Sequence, residues 1–172
     1  MPDLKKAYLK FIKKQETSGE RFHDSLKQLK NFYLPFCNKL YNLYKSKSST
    51  LLIGLSGGQG SGKSTIAEIL KIILQSNFDL NVVCFSIDDF YKTKSERKKM
   101  SQLIHPLFMT RGVPGTHDCK MLYNTIKSLL KKKFCTIKIP KFDKSNDDRF
   151  KVRHWQKIKK KPDIIIFEGW CV

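Results

Sequence analysis

The feature that most constrains this sequence is a glycine-rich segment, GGQGSGKS at residues 57–64, which lies between two apolar segments. The residues before it, 51–56 (LLIGLS), form a short apolar run that is typical of a buried parallel strand. After it, apolar residues recur at the spacing of an amphipathic helix: Ile66, Ile69, Leu70 and Ile73. The sequence therefore predicts a strand, a glycine-rich loop and a helix in direct succession.

This segment satisfies the pattern G-x-x-x-x-G-K-[ST] of the phosphate-binding P-loop, in the context that the pattern requires. Glycines let the backbone wrap around an anion, and the helix N-terminus adds partial positive charge. We expect Lys63 to reach the β- and γ-phosphates of ATP and to act in catalysis, and the Ser64 hydroxyl to ligate Mg²⁺. The predicted nucleotide-binding residues are Gly57, Gly58, Gln59, Gly60, Ser61, Gly62, Lys63, Ser64 and Thr65. The alternative is a strand-to-helix turn that binds no ligand.

The remaining patterns predict an α/β protein. Residues 81–87 (NVVCFSI) and 164–167 (IIIF) resemble two further buried strands, and residues 134–139 alternate as in a strand. Residues 94–104 form a short charged helix in this interpretation, and Asp118 caps a helix that runs to about residue 130. Strands that alternate with helices favour a three-layer α/β/α arrangement around a parallel sheet.

The first 45 residues predict helices. Apolar residues at 4, 8, 11 and 12 share one helical face, the pattern breaks at residues 17–19, and it restarts at Phe22. Pro35 fits the first turn of a third helix. The polar residues 45–50 (KSKSST) are interpreted as a linker. We therefore predict a helical N-terminal extension over residues 1–47 and a P-loop domain over residues 48–172.

Acidic residues follow the second and third predicted strands. Asp88 and Asp89 come after one strand and Glu168 after the other. Because the carboxyl ends of parallel strands form the ligand crevice of an open sheet, we expect Asp88 and Glu168 to face the P-loop. Asp88 can accept a proton from an attacking hydroxyl, and Ser64 and Glu168 can hold Mg²⁺. Alternatively each carboxylate caps the segment that follows it; Asp89 is interpreted as structural.

Charge and cysteine content narrow the functional classes. The 34 basic and 15 acidic residues give a net charge of +19, but only five of the basic residues are Arg. Since Arg is the better residue for reading phosphates and bases, we favour a solvated Lys-rich surface over nucleic-acid binding. The five widely spaced cysteines predict reduced thiols and a cytoplasmic protein. No apolar run is long enough for a membrane span.

Five blocks of the sequence resemble D-glycerate 3-kinase and its relatives among the P-loop kinases: GLSGGQGSGKST (54–65), SIDDFY (86–91), HPLFMTRGVPGTHD (105–118), IPKFDKSNDDR (139–149) and IIIFEGWCV (164–172). The wider group includes uridine, pantothenate and phosphoribulose kinases. The resemblance implies transfer of a phosphoryl group from ATP to D-glycerate, with Mg²⁺ as cofactor and Asp88 as the base or the carboxylate that organises the metal.

The same resemblance implies an acceptor side lined by Tyr91, Arg111, His117, Asp143 and Arg149. The chemistry of the residues agrees with this, because the carboxylate of glycerate requires an Arg or Lys partner. Arg111 lies in a loop that is otherwise free of Lys and Arg. Alternatives remain open for these residues: Arg111 can be a structural clamp, His117 can fix its loop, and Asp143 and Arg149 can belong to solvated surface.

Members of this family normally continue well past the EGW block. We therefore expect this chain to be a fragment, a natural short form, or one half that needs a complementary chain or an oligomer. A nucleotide-binding module and a uridine- or pantothenate-type kinase are the alternative functions.

Overall fold

The computed structural model describes residues 2–19 and 21–172. Its helices are, in chain order, α1 (Pro2–Thr17), α2 (Ser25–Gln28), α3 (Leu34–Lys47), α4 (Lys63–Phe78), α5 (Lys94–Leu103) and α6 (Cys119–Leu130). Its strands are β1 (Leu51–Ser56), β2 (Val82–Ser86), β3 (Ile137–Ile139), β4 (Phe142–Asp143), β5 (Asp148–Arg149), β6 (Gln156–Ile158) and β7 (Ile164–Gly169). Residue contacts cluster in two units: the chain up to Cys84 together with residues 162–171, and residues 85–161.

The first unit is built on a sheet with the strand order β1-β7-β2. β1 and β7 run parallel, with Leu51 opposite Ile164 and Ser56 opposite Gly169. β7 is the central strand, and its residues Ile164, Ile165 and Ile166 have no exposed surface. The parallel pairing of β1 with β7, and the helix α4 that follows β1, confirm the predicted α/β class.

β1 is less buried than its apolar sequence predicts. Leu51 is buried, but Leu52 is 41% exposed, and exposure alternates along the strand. The reason is its position: β1 stands at the end of the strand order, so β7 is its neighbour on one side. An apolar run is therefore not sufficient to identify a strand that is covered on both faces.

Helix α4 connects the sheet with the N-terminal helices. It packs against β1 and β7, and α1 and α3 pack against it. Tyr8 of α1 and Cys37 of α3 have no exposed surface and belong to the same core cluster as Ile69 and Ile73 of α4. The helices before residue 48 thus share one core with the sheet, and the predicted domain boundary at residue 47 stays a prediction.

The helical pattern between residues 22 and 50 differs from the prediction in two places. Residues 25–47 form a continuous helical run, in which a π-helical segment, Leu29–Tyr33, joins α2 to α3. Pro35 therefore lies near the start of α3 without a preceding loop; the i→i+5 bonding of the π segment changes the helical register just before the proline that lacks an N–H. Secondly, α3 extends to Lys47, so only residues 48–50 of the predicted linker connect it to β1.

Asp163 joins three distant parts of the first unit. The hydroxyl of Tyr44 in α3 donates a hydrogen bond to one oxygen of its carboxylate, and the backbone N–H of Asn81, just before β2, donates to the other at 2.7 Å. The backbone N–H of Leu51, where β1 begins, donates to the Asp163 carbonyl oxygen at 2.9 Å. The hydrogen bond to Asp163, together with partial burial, raises the pKa of Tyr44 to about 12.

The second unit consists of short elements. α6 is capped by the Asp118 carboxylate, which accepts from the N–H of Met121 at 2.9 Å, as predicted. β3 pairs with β6 in an antiparallel ladder, and β4 pairs with β5. The predicted strand over residues 134–139 is thus reduced to Ile137–Ile139. In the described part of the chain, no helix is long and apolar enough to cross a membrane.

Candidate functional site

The loop between β1 and α4 has the backbone geometry that its glycines predict. Gly60 and Gly62 have φ angles of 77° and 76°, which L-residues with a side chain rarely adopt. A Cβ atom on Gly57 would approach the Ser61 Oγ to 2.9 Å, so a side chain at this position would require the Ser61 hydroxyl to move. The loop leads directly into α4, whose first N–H groups lack partners within the helix and can bind an anion.

Lys63 is folded back onto this loop. Its Nζ donates to the carbonyl oxygen of Gly58 at 2.6 Å, and the Ser61 hydroxyl donates to the same oxygen at 2.8 Å. The Gly57 N–H donates to the carbonyl oxygen of Gly169, at the end of β7, at 3.2 Å. The ammonium group of Lys63 thus contacts the backbone of the loop. A phosphate bound there would be a stronger hydrogen-bond partner for it than a neutral carbonyl group.

Two of the predicted metal ligands are in contact in the first unit. The Ser64 hydroxyl donates to Glu168 Oε1 at 2.9 Å, and Glu168 is 7% exposed. Because β1 and β7 are parallel neighbours, the residue after the P-loop lysine and the carboxylate at the end of β7 meet at one edge of the sheet. Hydroxyl and carboxylate oxygens are the ligand types that Mg²⁺ takes from proteins, in combination with phosphate oxygens and water. The pair therefore fits a magnesium ion.

Asp88, the third predicted metal ligand, belongs to the second unit. It lies on a 3₁₀ turn, Ile87–Phe90, directly after β2. The turn begins with a capping box, in which the N–H of Asp88 donates to Ser86 Oγ at 3.2 Å and the N–H of Ser86 donates to Asp89 Oδ2 at 3.1 Å. The Asp88 carboxylate is 29% exposed and pairs with Lys144 Nζ at 2.9 Å. Its predicted position opposite the P-loop stays a prediction.

The Asp89 carboxylate contacts its own turn and a segment that is distant in the chain. Besides the bond from Ser86, its carboxylate pairs with Lys141 Nζ at 2.8 Å and accepts from the N–H of Phe142 at 3.4 Å. It is 7% exposed. These contacts agree with the interpretation of Asp89 as structural.

Tyr91 and His117 lie against each other. Their rings stack at a centroid distance of 4.2 Å, and their backbones form an isolated antiparallel bridge. His117 is 8% exposed, and its Nε2 is buried without a hydrogen-bond partner among the described atoms. Burial lowers the pKa of His117, although the nearby charge of Asp88 acts in the opposite direction. His117 therefore packs on Tyr91 by ring stacking, and its predicted roles in fixing the loop or lining the acceptor side stay predictions.

Arg149 is largely buried and contacts the backbone of Tyr91. Its Nη2 donates to the carbonyl oxygen of Tyr91 at 2.7 Å and lies 3.7 Å from Asp118 Oδ2. Asp118 in turn caps α6. Arg149 therefore links the segment after β2, the start of α6 and the strand β5. A role for Arg149 or Tyr91 toward a substrate stays a prediction.

Arg111 is engaged in an acidic clamp. Its Nη1 donates to Asp147 Oδ1 at 2.7 Å and to the carbonyl oxygen of Lys144 at 3.3 Å. Arg97 approaches the same aspartate from α5, donating to Asp147 Oδ2 at 2.9 Å and to its carbonyl oxygen at 2.6 Å. Partial burial alone would raise the pKa of Asp147, but hydrogen bonds from Arg111 and Arg97 hold it below its usual value. These contacts support the clamp interpretation of Arg111.

Asp143 organises a tight turn, residues 143–147, which we call the Lys144 turn. Its carboxylate accepts hydrogen bonds from the N–H groups of Ser145 and Asn146 and from both of their side chains. The side-chain bonds from Ser145 and Asn146 lower the pKa of Asp143 to about 2. Asp143 thus holds the conformation of the turn that carries Lys144.

Arg97 and Lys144 are residues that sequence reasoning missed. Arg97 has no exposed surface, yet it lies in a charged helix among Lys98 and Lys99 and looks like one more solvated residue. The available signal was its type, because a chain with 29 Lys and five Arg uses Arg97, Arg111 and Arg149 for contacts to carboxylates or carbonyl groups.

The glycine-rich loop lies between a parallel strand and a helix, and Glu168 of the adjacent strand accepts a hydrogen bond from Ser64. These features define a P-loop protein of the α/β class. The profile of the Phosphoribulokinase / Uridine kinase family matches residues 52–171. The chain belongs to this family.

Relatives and solved structures agree with this assignment. The chain is similar to an uncharacterized kinase of Schizosaccharomyces pombe, with 38% identity over 135 residues covering 74% of this chain and 48% of that protein. It is similar to a probable ATP-dependent kinase of Saccharomyces cerevisiae, with 35% identity over 70% of this chain and 45% of that protein. The chain thus spans about half the length of the curated relatives it matches.

Among solved structures, the fold is similar to that of a D-glycerate 3-kinase from Cryptococcus neoformans. The TM-score is 0.65 and the identity 29%, and the match covers 87% of this chain and 53% of that one.

Proposed function

We propose that this chain is an ATP-dependent kinase that transfers the γ-phosphoryl group of ATP to a hydroxyl of a small hydroxy acid, with D-glycerate as the first candidate. The observation that carries the proposal is the P-loop with Ser64 hydrogen-bonded to Glu168 at 2.9 Å. Family membership supports the kinase chemistry, and similarity to a D-glycerate 3-kinase supports the choice of acceptor.

On the nucleotide side, residues 57–65 bind the phosphates through their backbone N–H groups and the N-terminus of α4. Lys63 exchanges its contact with the Gly58 carbonyl oxygen for the β- and γ-phosphate oxygens. Ser64 and Glu168 would hold Mg²⁺. Bound magnesium neutralises charge on the β- and γ-phosphates during transfer.

On the acceptor side, Asp88 is the base. The acceptor hydroxyl oxygen forms a bond to the γ-phosphorus as the bond to the β-phosphate oxygen breaks, and the hydroxyl proton passes to the Asp88 carboxylate. The products are ADP and a phosphorylated acid, 3-phosphoglycerate in the case of D-glycerate. General-base assistance of this kind contributes roughly 10²- to 10⁴-fold to a rate.

The other predicted acceptor residues shape the walls of this site. Tyr91 and His117 form the stacked pair that follows the Asp88 turn, and Arg149 holds that pair through the Tyr91 carbonyl oxygen. Arg111 and Asp143 order the Lys144 turn. Their contribution is positional, since phosphoryl transfer depends mainly on positioning and charge neutralisation.

A coupled assay for ADP release tests the proposal, with D-glycerate, uridine and pantothenate as acceptors. We expect turnover that depends on D-glycerate, and its loss in Lys63→Ala. Lys71→Ala, which removes a partly buried lysine of α4 that pairs with Glu68, is the matched control and should retain turnover.

Three outcomes would revise the proposal. Preferred turnover of uridine or pantothenate would change the acceptor and retain the kinase. ATP binding without turnover of any acceptor would indicate a nucleotide-binding module. Absence of ATP–Mg²⁺ binding would contradict the proposed function as a whole.

A further inference from the structure

Lys144 forms an ion pair with Asp88, the proposed base, within the second unit. Its Nζ lies 2.9 Å from Asp88 Oδ2, and its side chain is 65% exposed. An ion pair with this much exposure contributes little to stability, because water competes for both charges. Lys144 can therefore leave Asp88 for an incoming anion at small cost to the fold.

The backbone of the Lys144 turn is fixed independently of the Lys144 side chain. Asp143 binds the N–H groups of Ser145 and Asn146, and Arg111 donates to the carbonyl oxygen of Lys144 itself. Asp147, at the end of the turn, is held by the fully buried Arg97. The Lys144 ammonium group can thus change its partner while the backbone of the turn keeps its hydrogen bonds.

The two arginines that were predicted to line the acceptor side are bound to groups of the chain itself. Arg111 directs its Nη1 to Asp147, and Arg149 is directed to the Tyr91 carbonyl oxygen and Asp118. Breaking either contact would expose carboxylate and carbonyl groups that organise the unit. Lys144, by contrast, gives up only a solvated ion pair.

We propose that Lys144 binds the anionic group of the acceptor and that this exchange releases Asp88 to act as the base. The inference rests on the proposed function, and it specifies the substrate class: a hydroxy acid whose negative charge takes the place of the Asp88 carboxylate on Lys144. An acceptor without a negative charge gains nothing from Lys144 and leaves the Lys144–Asp88 pair intact.

The test compares Lys144→Ala, Lys144→Arg and the matched control Lys151→Ala, which removes an exposed positive charge from the same unit. Steady-state kinetics are measured with D-glycerate and with glycerol, which carries a hydroxymethyl group in place of the carboxylate. Equilibrium binding of D-glycerate and of ATP–Mg²⁺ is measured by calorimetry on each variant. A thermal melt checks that each variant is folded.

We expect Lys144→Ala to raise the KM and the Kd for D-glycerate roughly 10- to 100-fold, the factor that corresponds to a lost charge-assisted hydrogen bond. The value of kcat at saturating D-glycerate should fall much less, and kcat/KM for glycerol should not fall, because Lys144→Ala leaves the Asp88 base without its lysine partner. Lys144→Arg should recover most of the loss, whereas Lys151→Ala and the affinity for ATP–Mg²⁺ should stay at the wild-type level.

An unchanged KM and Kd for D-glycerate in Lys144→Ala would overturn the inference, as would an equal loss with glycerol. D-Glycerate binding that depends on Lys144, without phosphoryl transfer, would overturn the proposed function and retain only the role of Lys144 in binding the anionic group. Wild-type protein that binds ATP–Mg²⁺ and does not bind D-glycerate would overturn the inference and leave the kinase chemistry to be tested with other acceptors.

Discussion

The guanidinium of Arg97 holds Asp147 at two points, through its carboxylate and through its backbone carbonyl oxygen. Arg97 has no exposed surface, and it also donates to the carbonyl oxygens of Lys92 and Met109. One side chain of α5 therefore fixes the segment before its own helix, the loop before Arg111 and the end of the Lys144 turn.

Replacing this arginine should destabilise the second unit strongly. We expect Arg97→Met to lower the free energy of unfolding by about 3 kcal/mol, because buried carbonyl groups lose their donor and Asp147 loses one of its two cations. The measurement is urea unfolding. The exposed neighbour gives the control: Lys98→Met should stay within about 0.5 kcal/mol of wild type. Equal losses in the two variants would contradict a special role for Arg97.

The Ser64–Glu168 pair predicts a magnesium effect. Glu168→Gln should raise the Mg²⁺ concentration that half-saturates ATP binding by roughly 10-fold, while binding of ATP without metal should change little. A fluorescent ATP analogue titrated with Mg²⁺ gives both values. Glu68→Gln, on the exposed side of α4, is the matched control. Unchanged magnesium dependence would leave Glu168 with a structural role only.

Asp88→Asn should reduce kcat with little effect on nucleotide affinity. The amide keeps the size of the side chain and cannot take the hydroxyl proton, so we expect a loss of roughly 10²- to 10⁴-fold in kcat and an ATP Kd within about 3-fold of wild type. Asp24→Asn, a surface change in the first unit, should behave as wild type. A small loss of kcat would argue against Asp88 as the base.

The buried His117 predicts a pH effect on stability. Its pKa is lowered in the folded protein, so the neutral ring stabilises the fold at a pH above the usual histidine pKa of about 6.5, and protonation removes this contribution as the pH falls further. We expect the unfolding free energy of wild type to decline more than that of His117→Phe between pH 7 and pH 5. The exposed His154, replaced by Phe, is the control. Parallel pH curves for wild type and His117→Phe would contradict the expectation.

The sequence predicts well those structural features that depend on residues close together in the chain. The P-loop, the charged helix α5 and the Asp118 cap depend on residues within a few positions of one another. The contacts of Asp147 with Arg97 and Arg111 join residues 50 and 36 positions apart, and Lys144 lies 56 positions from Asp88. Nothing local distinguishes these residues from the many other charged side chains of the sequence.

The predicted acceptor residues illustrate the same limit. Residue type correctly singled out Arg111 as unusual in its loop, but an arginine suited to a substrate carboxylate is equally suited to a carboxylate of its own chain. Which partner it takes depends on where Asp147 lies, and that is set by the turn through Asp143.

The order β1-β7-β2 has a consequence for how the protein forms during synthesis. The strand at the middle of the sheet is the last of the three to leave the ribosome, and Asp163, which precedes it, carries the bonds to Tyr44, Leu51 and Asn81. Until that strand emerges, β1 and β2 lack the strand that lies between them in the sheet, and residues 85–161 must be made first. Residues 1–84 of the first unit are thus translated early, but their sheet forms late, because a long loop between β2 and β7 must close before the middle strand can pair.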